Sequence, residues 1–183
     1  MILTKKVGNF LNSQDVILGI LMDENCSGYE IKHKFETLFS YFYNASYGTI
    51  YPTLGKMEKQ GLITKESILQ DGKPNKNVYT ITEAGREQFM LYLKSDIQAV
   101  ETKSDFMVRL VFGKWADQEQ VIQWLEKTIA KQEEEIAQLT ADYANWKPNM
   151  NATQELCITI GIANQESSHR ILVEGLQKLK AQL

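Results

Sequence analysis

A chain of 183 residues with 43% apolar side chains is long enough for one domain, or a small domain with an extension, around a real core, and it is not a disordered tail. Its net charge of −3 withholds the overall basicity that marks a generic nucleic-acid binder. The acidity sits in the second half: residues 1–95 hold 11 Lys+Arg against 10 Asp+Glu, and residues 96–183 hold 9 against 13, so the first half remains open to DNA. Cys26 and Cys157 are too few and too far apart for a disulfide framework or a zinc motif; they imply a reducing compartment and two small core residues. Residues 1–9 show no signal peptide and the apolar run 16–22 is too short to span a bilayer, so no membrane association and a cytoplasmic location are expected.

Along the chain, Ser13 is a candidate N-cap for a first helix whose face is Val16, Ile17, Ile20 and Leu21. Ser27-Gly28 opens a second helix, where Tyr29, Ile31, Phe35, Leu38, Phe39 and Phe42 form a bulky apolar surface between Lys32, Lys34 and Glu36. The third helix lies within residues 44–62. Asn44-Ala45-Ser46 can cap it, Ile50, Leu54, Met57 and Leu62 recur near helical spacing, and Gly61 stops it as a left-handed residue would. If this helix opens at Ser46, Pro52 falls beyond its first turn and bends or resets it. At its front Tyr47, Thr49 and Tyr51 carry hydroxyl and π groups suited to phosphates and base edges, with Ser46 and Lys56 as further phosphate contacts.

Residues 62–69 and 77–82 read as two strands around a hairpin tip, 70–76, rich in turn formers. Lys73, Asn75 and Lys76 in that tip suit a solvated loop, or a wing lying along the phosphate backbone; its place after a recognition-like helix favours the wing. Thr82 caps a fourth helix with Phe89, Met90 and Leu93 on its face, and a soft boundary follows at 98–103. Two domains are therefore expected, 1–97 for DNA binding and 98–183 for helical dimerisation.

In the second domain Ser104-Asp105 can cap a short helix ended by Gly113. From 117 to 145, Ile122, Leu125, Ile129, Ile136 and Leu139 alternate at spacings of three and four, interrupted by Gln132. That pattern fits a two-stranded coiled coil or one helix of a bundle. Lys147-Pro148-Asn149 breaks the chain before a last helix, capped by Asn151 or Thr153, that carries Leu156, Ile160, Leu172, Leu176 and Leu179. These stripes expose too much apolar surface for a monomer, and a homodimer is expected. Phe106, Phe112, Trp115 and Trp124 fall near the domain junction, where aromatic residues ordinarily pack but could line an effector pocket.

These residues also carry a family likeness. Ser27-Gly28-Tyr29-Glu30-Ile31, Gly48-Thr49-Ile50-Tyr51-Pro52-Thr53-Leu54, Glu58-Lys59-Gln60-Gly61-Leu62-Ile63, Gly72-Lys73-Pro74 with Val78-Tyr79, and Ile81-Thr82-Glu83-Ala84-Gly85-Arg86 resemble, in order and spacing, the PadR family of bacterial transcriptional regulators. The likeness covers roughly residues 15–95 of the chain. It implies a mainly α fold with a small β-hairpin wing: a winged helix-turn-helix domain followed by an α-helical dimerisation domain. It further implies double-stranded DNA as partner, a near-palindromic operator read by a homodimeric repressor, and a small aromatic effector.

An enzyme is not expected, and neither is a metal or cofactor. His33 and His169 are the only histidines. Cys157 and His169, twelve positions apart on one helix, stand about 18 Å apart along it and cannot form a nucleophile and base pair within a subunit. No P-loop, dinucleotide fingerprint or paired-cysteine spacing occurs. The competing class is a winged-helix adaptor for protein contact, which the acidic net charge favours and the polar front of the third helix opposes.

Overall fold

The computed structural model describes residues 11–39, 42–43, 47–69, 75–100 and 102–181. The chain divides into two compact units, Met1–Val100 and Glu101–Leu183. Among the described residues no helix is long and apolar enough to cross a membrane.

In the first unit, α1 (Ser13–Asp23) begins one residue earlier than a Ser13 cap would set it. Asn12 is the N-cap: its side chain accepts from the Gln14 N–H, and Asp15 accepts from the Asn12 N–H. Ser27 closes the same kind of box with Glu30 at the start of α2 (Gly28–Thr37), which ends well before Phe42. A 3-10 turn at Tyr47–Thr49 leads into α3 (Ile50–Lys59). This later start removes the difficulty posed by Pro52, which now lies in the first turn of α3, where backbone N–H groups lack intrahelical partners anyway. No kink is needed. At the other end Gly61 takes φ 72°, and the Leu62 N–H returns 3.0 Å to the Met57 carbonyl, closing the helix as the glycine predicts.

β2 (Ile63–Ile68) and β3 (Lys76–Ile81) form the antiparallel hairpin, from Ile63 opposite Ile81 to Ile68 opposite Lys76. A third strand, β1 (Cys26–Ser27), pairs with the other edge of β3, giving the order β1-β3-β2. α4 (Glu83–Leu93) is capped by Thr82, whose side chain accepts from the Gly85 N–H at 3.1 Å. The core gathers Ile17, Leu18 and Leu21 of α1, Ile31 and Phe35 of α2, Ile50, Leu54 and Met57 of α3, and Ile63 and Ile81 of the sheet. Each such side chain contributes about 1.5–3 kcal/mol through burial. Cys26 joins this core; Cys157 does not, being exposed on the last helix, which corrects the expectation of two core cysteines.

The second unit contains α5 (Asp105–Val111), capped by Ser104, a 3-10 turn at Gly113–Trp115, and two long helices, α6 (Gln118–Trp146) and α7 (Ala152–Lys180). Asn151, rather than Thr153, caps α7, accepting from the Thr153 and Gln154 N–H groups. The two helices form an antiparallel hairpin. Gln118 Nε2 donates to the Leu179 carbonyl at one end, Gln132 Nε2 donates to Ser168 Oγ near the middle, and Tyr143 Oη donates to Glu155 Oε1 at the other. Ile122, Leu125, Ile129 and Leu139 are buried and Ile136 is half-buried on α6. The α6 seam thus finds α7 of its own chain, which corrects the reading of that seam as a dimer contact. On α7, Leu172, Leu176 and Leu179 are half-buried, whereas Leu156, Ile160 and Ile171 are 60%, 52% and 61% exposed. At about 100° per residue the two trios lie on opposite sides of α7. One side serves the hairpin, and the other is left open.

Candidate nucleic-acid interface

α3 is anchored by Ile50, Leu54 and Met57, each wholly buried. At about 100° per residue this places Pro52, Gly55, Lys56 and Lys59 on the outward side and Tyr51 on one flank. Pro52, Lys56 and Lys59 are exposed accordingly. Thr49 is exposed on the flank opposite Tyr51, and with Thr53, Lys56, Asn12, Ser13 and Tyr43 it borders an open groove of about 670 Å³. The expected front of hydroxyl groups is therefore split. Thr49 and Lys56 share one side of α3, while Tyr51 leans toward α2.

The Tyr51 ring lies over Gly28, where an added Cβ would stand 2.7 Å from Tyr51 Cε1. Even so, Tyr51 is 55% exposed, so its outer face and edge stay available. The sequence reading takes Gly28 as the opening of α2 and does not mark it for this contact, though a glycine at the first position of a helix is a visible signal for close approach. Gly55 is another: nothing lies within 4 Å of a Cβ built there, so packing does not explain a glycine inside α3.

The hairpin's outer strand faces solvent, with every residue of β2 after Ile63 exposed. Lys65 of β2 reaches Glu58 of α3 at 3.3 Å, and Ser67 Oγ donates to Asn77 Oδ1 across the strands at 2.6 Å. Asn75 is exposed just before β3. Lys76 was expected in the loop; it is instead the first residue of β3, paired with Ile68, and its Nζ lies 2.9 Å from Glu30 Oε1. That carboxylate is held down to about 2, first by the Ser27 backbone N–H it accepts from, then by Lys76 and the Ser27 hydroxyl. Ser46, the Tyr47 side chain and Lys73 lie outside the described residues. His33 is exposed on α2.

The aromatic group of the second unit is open. Trp115 is 80% and Phe112 59% exposed, while Phe106 and Trp124 are half-buried, so a single subunit does not enclose a ligand with these four. Arg109 stacks over Trp124 at 5.4 Å and also binds Asp105 at 2.7 Å; Lys114 covers one face of Trp115 at 5.0 Å.

An outward-facing helix beside a solvent-facing hairpin is the geometry of a winged helix. The family model described as the transcriptional regulator PadR-like family matches residues 17–90. The crystal structure of the PadR-like transcriptional regulator BC1756 from Bacillus cereus is 34% identical, covers 94% of this chain and 100% of its own, and superposes with a TM-score of 0.86. The chain belongs to the PadR-like family of transcriptional regulators. The crystal structure of smu.1604c from Streptococcus mutans UA159 is also similar, at 43% identity over 91% of this chain and 99% of that one, with a TM-score of 0.87. The negative transcriptional regulator PadR of Bacillus subtilis is 28% identical over 128 residues, 69% of this chain and 70% of that protein. Structures of Bacillus subtilis PadR include one with operator DNA, at a TM-score of 0.77 and 24% identity over 91% of this chain and 98% of that one, and one with p-coumaric acid.

Proposed function

We propose that this PadR-like regulator is a cytoplasmic homodimeric repressor that lays α3 in the major groove and the β2–β3 hairpin along the neighbouring phosphate backbone. The observation that carries this reading is the outward side of α3, where Pro52, Lys56 and Lys59 are exposed beside Tyr51 and Thr49 while Ile50, Leu54 and Met57 lock the opposite side into the core. A helix held this way presents a fixed surface to base edges, and its lysines supply phosphate contacts. The operator complex of Bacillus subtilis PadR supports DNA as the partner, and the negative role of that relative supports repression.

Dimerisation is the second part of the proposal. The open side of α7, with Leu156, Ile160 and Ile171, and the exposed Met107, Val108 and Val111 of α5 form apolar surface that a second copy would cover. A two-fold axis then gives one recognition helix per half-site, about 34 Å apart on the duplex. The p-coumaric acid complex of the Bacillus subtilis protein supports a small aromatic effector; such a ligand releases DNA only by binding the free form more tightly than the bound one.

The test is a mobility shift with the promoter DNA of its own gene, titrated with salt. The expected result is a specific complex whose affinity falls steeply with salt, and whose slope drops by about 0.9 for each of Lys56→Ala and Lys59→Ala. Binding without preference for that promoter over unrelated duplex, or no binding, would favour the protein-adaptor reading instead.

A further inference from the structure

The short turn at Ser27–Glu30 touches both elements assigned to DNA, and nothing in the family likeness gives it that task. Ser27 is the last residue of β1, opposite Val78 of β3, and also the N-cap of α2. Its N–H and its Oγ both donate to Glu30 Oε2, at 2.7 and 2.8 Å. With Oε2 held by its own turn, the carboxylate presents Oε1 to Lys76, 2.9 Å away at the tip end of the β2–β3 ladder. One residue from Ser27, Gly28 leaves the space that the Tyr51 ring fills.

We propose that this turn is a positioning device that sets the recognition helix and the wing relative to one another, with Gly28 seating Tyr51 and Glu30 holding Lys76. The inference rests on the DNA-binding reading above. Each contact leaves its partner available to the duplex. Tyr51 is covered on one side only, and the ammonium of Lys76, with three donors, keeps two for phosphate after meeting Glu30. A carboxylate close to a phosphate-binding lysine weakens its pull on DNA, so a pair that only masked charge would lower affinity for all sequences alike. A positioning pair acts differently, since it aligns groove and backbone contacts and thereby raises the preference for the right sequence.

Glu30→Gln separates the two cases. The affinities of the full-length protein for its own promoter duplex and for a scrambled duplex are measured at several salt concentrations. Positioning predicts that the ratio of the two affinities falls about fivefold, while binding to the scrambled duplex holds or rises. It also predicts that Glu30→Gln has no further effect on the ratio in a Lys76→Met background, and that Gly28→Ala lowers the ratio in the wild type but not in a Tyr51→Ala background. An unchanged ratio, or an effect of Glu30→Gln that persists without Lys76, reduces Glu30 to a helix cap and overturns the proposal. Hydrogen exchange in the free protein adds a readout independent of DNA: amides of β3 should exchange faster in Glu30→Gln while those of α1 keep the wild-type rate. Equal rates in β3 would likewise overturn the proposal. If the wild type prefers no duplex, the repressor reading fails, and the exchange rates alone decide whether the turn holds the wing.

Discussion

Gly85, in the first turn of α4, packs so closely on the Leu62 carbonyl that a Cβ would collide with it. The same carbonyl accepts from the Thr82 N–H at 3.0 Å, and Thr82 Oγ1 donates to the Gly61 carbonyl at 2.6 Å, so the start of α4 is fastened to the exit of α3. Because the obstacle is backbone, no rotamer change can relieve it. Gly85→Ala should destabilise the protein by about 1–3 kcal/mol in urea unfolding, despite the better helix propensity of alanine. An unchanged midpoint would mean that α4 can shift away from Leu62.

Gly55 presents the opposite case. Its surroundings are open, so Gly55→Ala should follow intrinsic propensity and stabilise α3 by about 0.5–1 kcal/mol. On the outward side of a recognition helix, however, a new methyl group meets the duplex. Operator affinity should therefore fall as the melting temperature rises. A variant that gains stability and keeps full affinity would show that the duplex does not approach α3 at this position.

What was legible in the sequence follows from what periodicity encodes. The apolar spacing of Ile50, Leu54 and Met57 and the stop at Gly61 specified the buried side and the end of α3, and both hold in the structure. Its start was missed because Ser46 looks like a cap, whereas the chain makes a 3-10 turn first and enters the α-helix at Ile50. β1 carries too few residues to show any alternation, and its existence depends on pairing with β3. Likewise the Ile122, Leu125, Ile129 and Leu139 stripe announced a covered face but not the identity of its cover, which is the chain's own α7. The link between Lys76 and Glu30 joins residues 46 positions apart, and no local pattern could reveal it.

The two sides of α7 give an assembly prediction. Replacing Leu156 and Ile160 together by aspartate places charges on the open side without touching the hairpin seam, so the protein should become monomeric by light scattering while its helical content stays intact. Leu139→Ala should do the reverse. Leu139 is 1% exposed, and its truncation should cost about 2–5 kcal/mol of stability. A Leu156→Asp, Ile160→Asp protein that remains dimeric would move the interface elsewhere.

For the effector, the half-buried Trp124 with Arg109 across its face is a better reporter than the open Trp115. Titration with a planar aromatic acid should quench tryptophan emission and weaken operator binding in parallel, with Trp124→Ala diminishing both effects. Saturable quenching at constant operator affinity would establish a binding site without a switch.

Acid should act on the first unit through two carboxylates of opposite sign. Glu30 has its folded pKa lowered from the ordinary value to about 2, so it binds protons less readily in the native state than in the unfolded chain. The stability it contributes is fully present above the unfolded carboxylate range and is lost as pH falls from about 4.5 towards 2. Its partial exposure screens the effect, and it should appear as a modest slope. Asp15 is buried, and that desolvation raises its pKa against the opposing hydrogen bond from the Asn12 N–H. Its native state takes up a proton first, so its contribution improves as pH falls through the raised pKa and levels off below the unfolded value. Stability measured by urea unfolding between pH 7 and pH 2.5 should therefore lose part of its acid sensitivity in Glu30→Gln and become more acid-sensitive in Asp15→Asn, because the second variant removes a term that offsets the first. Identical pH profiles for the wild type and both variants would assign the acid response to other carboxylates.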